Sequence, residues 1–103
     1  MIYEKDLDYR LNKTKEYCKK HKKRRINNYM FDAINRYINN ISNNMNEEYK
    51  LIDCIKFVYL NENCKKRYDT IIKKFDGIDE NCKLLLTKAI YLEYLKKIEN
   101  III

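Results

Sequence analysis

The stretch INNYMFDAINRYINNI, residues 26–41, decides the fold. Its apolar residues Ile26, Tyr29, Met30, Ala33, Ile34, Tyr37, Ile38 and Ile41 recur at i, i+3, i+4, i+7, i+8, i+11, i+12 and i+15. A helix places all of those positions on one broad side. Asn28, Asp32, Asn35, Arg36 and Asn39 take the opposite side, and the polar run 42–46 ends the helix. The tyrosines on the stripe are expected to pack their rings with the hydroxyls at the rim. Phe31 falls off the stripe, where an exposed aromatic can stack on a base or insert into a partner.

The segment before it carries the charge. Residues 13–25 hold Lys13, Lys15, Lys19, Lys20, Lys22, Lys23, Arg24 and Arg25 against one acid, Glu16, for a sum of +7 with His21 neutral. The whole chain, with 22 basic and 15 acidic residues, also sums to +7, so everything outside this stretch cancels. Such a concentration costs self-repulsion, and a surface made only for solubility would mix signs. A polyanion is the expected partner. The same residues end a helix predicted from about Tyr3 to His21, whose inner stripe is Leu7, Leu11, Thr14, Cys18 and His21. Asp6 and Asp8 near its start and lysines near its end complement the helix dipole.

Beyond residue 41 the expected elements are all helical. A third helix from about Asn46 to Leu60, capped by Asn46 and followed by Glu47 and Glu48, is apolar around most of its circumference and is expected to be the buried central element. A fourth begins near Glu62 after the break at 61–63, with Cys64, Tyr68, Ile71, Ile72 and Phe75 inward. Gly77 suits a left-handed helix stop, with Ile78 folding back. A fifth starts at Asp79 and runs to about Glu99. With no proline and one glycine in 103 residues, hairpins and barrel corners are excluded. The fold class is all-α, a compact array of four or five short antiparallel helices forming a single helical domain over 1–103, with its basic segment at 13–25.

Chemistry is less visible. The chain has no phosphate-cradling glycine loop and no CxxC pair, and no carboxylate pair shows separated roles. Cys18 and His21 are spaced for zinc on one helical face, yet Cys64 and Cys82 open different helices, so a shared site is not expected. The four cysteines read as free, buried thiols, and neither an enzyme nor a cofactor or metal is expected. Frequent Ile, Asn, Lys and Tyr follow A/T-rich codons, so the Asn pairs at 27, 39 and 43 read as composition.

Binding remains. The expected partner is structured RNA of the ribosomal kind, together with neighbouring proteins of a particle. The 13–25 stretch would lie along phosphates, with Phe31 and secondary contacts at Lys65, Lys66 and Arg67. Lys73 and Lys74 form a further basic spot. The alternative is a helical adaptor or inhibitor docking on an acidic protein surface and anchored by Ile101, Ile102 and Ile103. A helix-turn-helix is weaker, because 61–63 lacks the usual glycine. No apolar run reaches the roughly 18 residues of a membrane span, and no small-molecule substrate is implied. A cytoplasmic location is expected, with KKHKKRR also compatible with nuclear import.

Overall fold

The computed structural model describes residues 3–41, 50–75 and 77–102, with side chains placed for 7–41, 50–75 and 77–98. Five helices follow one another: α1 (Tyr3–Lys20), α2 (Ile26–Ile41), α3 (Leu51–Leu60), α4 (Glu62–Lys74) and α5 (Glu80–Ile102). No strand occurs among the described residues. The all-α expectation and the bounds of α2 hold, because the period of its apolar residues is unambiguous. The cap proposed at Asn46 lies outside the described residues, as do the side chains of Ile101 and Ile102 and all of Ile103.

The core is drawn from every helix. Leu7 and Leu11 of α1 meet Met30, Ile34, Tyr37, Ile38 and Ile41 of α2, and these join Val58, Cys64, Ile71, Phe75, Ile78, Leu86 and Ile90. Thr14, on the inner stripe of α1, satisfies its hydroxyl by donating to the Arg10 carbonyl at 2.8 Å. His21 does not join the stripe. It is exposed in the turn after α1, its ring against that of Tyr17 with centroids 4.5 Å apart.

The central element is α5, not α3. α5 packs against α2, α3 and α4, and buries Cys82, Leu86, Thr87, Ala89, Ile90, Leu92 and Glu93. Its 23 residues make a rod about 35 Å long, enough to touch three neighbours. α3 has 10 residues and, among the described residues, packs mainly on α4 and α5. It buries Cys54 and Val58 and leaves Ile52 59%, Tyr59 56% and Leu60 86% exposed. An apolar circumference showed that α3 could be buried all round, but two neighbours cover only one side.

The connections are short and capped. Asn61 alone joins α3 to α4: its N–H donates to the Phe57 carbonyl at 2.9 Å, and its side-chain oxygen accepts from the Cys64 N–H at 3.0 Å. At the start of α5 the Asp79 carboxylate accepts from the Cys82 N–H at 3.0 Å, the cap expected there. Gly77 sits at φ +88°, in the left-handed region anticipated for the stop after α4.

Asn27 ties the α4–α5 connection to the beginning of α2. Its side-chain amide donates to the Gly77 carbonyl at 3.2 Å and accepts from the Asp79 N–H at 2.9 Å, while its own carbonyl lies 3.2 Å from the Cys82 thiol. This one asparagine of the Asn pairs is therefore a structural clamp. Among the described residues no helix is long and apolar enough to cross a membrane.

Candidate functional site

The basic stretch folds into the last turns of α1, the five-residue connection 21–25 and the entrance to α2. α1 ends in a Schellman turn. Lys23 N–H donates to the Cys18 carbonyl at 2.8 Å and Lys22 N–H to the Lys19 carbonyl at 3.4 Å, with Lys22 at φ +53°. Glycine normally fills that left-handed position, since a Cβ there is strained. Here it is a lysine, and the chain reverses so that α2 packs along α1.

Two open depressions result on one face of the hairpin. The first, about 430 Å³, is lined by Lys23, Arg24, Arg25, Asn28, Tyr29 and Asp32. The second, about 500 Å³, lies between the helices and is lined by Lys13, Thr14, Tyr17, Tyr29, Asp32, Ala33 and Arg36. They share Tyr29 and Asp32, so five cationic side chains surround a common rim. The Tyr17 and Tyr29 rings are 5.9 Å apart and inclined by 54°, and remain 47% and 36% exposed. Lys13 also lies 3.8 Å from Glu16 and 5.5 Å from the centre of the Tyr9 ring, both loose surface contacts.

The chain matches no protein-family model, no curated protein and no solved structure. The face must be interpreted on its own chemistry.

The structure divides the residues singled out in the sequence. Lys13, Lys23, Arg24 and Arg25 line the shared face, and Lys19, Lys20 and Lys22 are exposed in the last turn of α1 and the connection after it. Lys15 points elsewhere. Its ammonium lies 5.8 Å from the centre of the Phe75 ring, where Lys74 also approaches at 5.6 Å. Phe31 is 39% exposed, but the depression it lines, about 360 Å³ with Asn27, Asn28, Asp32, Asp79, Asn81 and Cys82, contains no cation.

Arg67 is a correction. Its guanidinium turns inward, donating to Glu93 at 3.0 and 3.3 Å and to Asp8 at 3.1 and 3.3 Å, so it is a structural group and no surface contact. Tyr37 completes the network by donating its hydroxyl to Glu93 at 3.2 Å. Burial works to lower the Arg67 pKa, but hydrogen bonds and charge from Glu93 and Asp8 outweigh it and hold the pKa above its usual value. Lys65 is drawn to Asp69 at 2.9 Å and lies 5.2 Å from the centre of the Tyr59 ring, while Lys66 remains exposed, 4.0 Å from Glu62. Neither lines a depression with the 13–25 cations.

The thiols are quiet. All four cysteines are free and buried. Burial raises Cys18 and Cys54, pushes Cys64 up to about 11 with help from the Glu93 charge, and pushes Cys82 up to about 12 with help from Asp79. A thiol held protonated in this way is a poor nucleophile and metal ligand at neutral pH. No group of three or more His, Cys, Asp or Glu among the described residues is placed to hold a metal ion.

Sequence reasoning missed Arg36, Tyr17, Tyr29 and Asp32 as members of one surface. A signal existed. In an antiparallel hairpin turning at 21–25, residues 13 and 17 come opposite 29, 33 and 36, so the short connection and the helical period together set this register.

Proposed function

We propose that this chain acts by binding and not by catalysis, attaching to structured RNA through phosphate contacts as an accessory or structural component of a cytoplasmic ribonucleoprotein particle. The observation that carries the reading is the convergence of Lys13, Lys23, Arg24, Arg25 and Arg36 on two adjoining depressions that share an exposed tyrosine. Cations set along a concave strip suit a phosphate backbone, and open aromatic rings suit bases that have left a stack. Leu11, Met30 and Ile34 anchor the two helices that carry the strip in the core.

Co-sedimentation of the tagged protein from native lysate, with and without ribonuclease and at low and high salt, tests the reading. Travel with ribonucleoprotein particles and release by ribonuclease or salt is the expected result. Replacement of Lys19, Lys20, Lys22, Lys23, Arg24 and Arg25 by Gln should abolish the association while helicity stays. Association that survives this replacement overturns the reading.

A second reading, a helical adaptor for another protein, draws on α3. Leu51, Ile52, Tyr59 and Leu60 stand exposed there. Sedimentation with a protein complex indifferent to salt and ribonuclease, and lost on Ile52→Lys with Leu60→Lys, would favour it.

A further inference from the structure

On the RNA reading, one feature of the basic face is out of place. Asp32 is a carboxylate on the rim shared by both cation-lined depressions. It is exposed and makes no hydrogen bond or ion pair among the described residues, although Arg36 follows it by one helical turn. A phosphate strip gains nothing from a negative charge at its centre. A base-reading site does.

We propose that the depression between α1 and α2 takes an unpaired guanine base of the RNA, with Asp32 accepting from its Watson–Crick edge. Guanine presents two neighbouring donors, N1–H and the 2-amino group, which match the two oxygens of one carboxylate. Adenine and cytosine present one donor beside an acceptor, and uracil presents one donor between two acceptors, so each would set a lone pair against the carboxylate. Tyr17 and Tyr29 supply the stacking surface. With centroids 5.9 Å apart, they are too close for a base to slide between them, so the base lies against the pair from the open side. Lys13 and Arg36 flank the base, while Lys23, Arg24 and Arg25 in the adjoining depression meet the phosphates on either side of it. The carboxylate thus supplies selectivity and the cations supply affinity.

This inference rests on the RNA reading, and the test separates the two. Fluorescence anisotropy of the full chain is measured with short single-stranded uridine oligoribonucleotides carrying one central guanosine, inosine, adenosine or uridine. The guanosine oligomer is expected to bind about tenfold tighter than all-uridine, and inosine, which lacks the 2-amino group, should lose most of that gain. Asp32→Asn and Asp32→Ser should erase the preference while all-uridine binding stays or tightens. GMP, with a single phosphate, should compete far less well than the oligomer. Equal binding of the four oligomers, or a preference that survives both Asp32 variants, overturns the guanine site and leaves the phosphate reading standing. GMP binding as tightly as the oligomer makes the ligand a free nucleotide and overturns the RNA assignment. Failure to bind any oligomer overturns the guanine site, while the structured-RNA reading then stands or falls on release from the particle by ribonuclease and salt.

Discussion

Glu93 is 3% exposed, and its carboxylate gathers Arg67 and Tyr37, so one buried anion links α2, α4 and α5, with Asp8 of α1 attached through the same guanidinium. A buried pair adds little over apolar packing, but losing one partner strands the other. Arg67→Met is therefore expected to destabilise the chain by about 3–5 kcal/mol in urea unfolding, with Arg67→Met/Glu93→Leu recovering most of the loss. The thiols give a second outcome. Because Cys64 and Cys82 keep their protons to about 11 and about 12, the unfolded state sheds protons first as pH rises past the ordinary thiol value of 9.0. Stability should fall from there upward. Urea midpoints followed from neutral pH through that range should drop less in Cys64→Ala. The Arg67 network was illegible in the sequence for a helical reason. Lys65, Lys66 and Arg67 are consecutive, but successive residues point about 100° apart, so a basic triplet on a helix cannot share one face.

At the level of the helices, two C-termini end on a left-handed residue, one on Gly77 and one on Lys22. Gly77 was legible because only glycine takes φ near +88° without strain. Lys22 was not, since nothing in a run of lysines marks the one that must turn left. Lys22→Gly should raise stability by about 1 kcal/mol, measured by urea unfolding, by removing the Cβ clash. α2 was readable to the residue from its period, and the start of α4 from the break at 61–63; the Asn61 cap on α4 was not read. α3 misled, because an apolar surface says what a helix tolerates and its neighbours decide what is covered.

Across the whole molecule, the excess charge sits at one end of the α1–α2 hairpin, and the α4 lysines are partly matched by acids on their own helix. If binding neutralises about six phosphates, the logarithm of affinity should fall against the logarithm of salt with a slope of about four to five. A slope near zero in anisotropy titrations would remove charge as the driving force. The hairpin also explains why the face was only half legible: the cations were visible in sequence, whereas the pairing of Tyr17 with Tyr29 and of Lys13 with Arg36 exists only once α1 lies back on α2. α1 has one extensive helix neighbour, whereas α5 has three. Segments with fewer packed partners open locally at lower free energy. Amide hydrogen exchange should then be faster in residues 7–20 than in α5. A guest lodged across the joint between α1 and α2 would close that difference, so protection of an N-terminal helix far from the centre of the fold becomes a label-free report of occupancy.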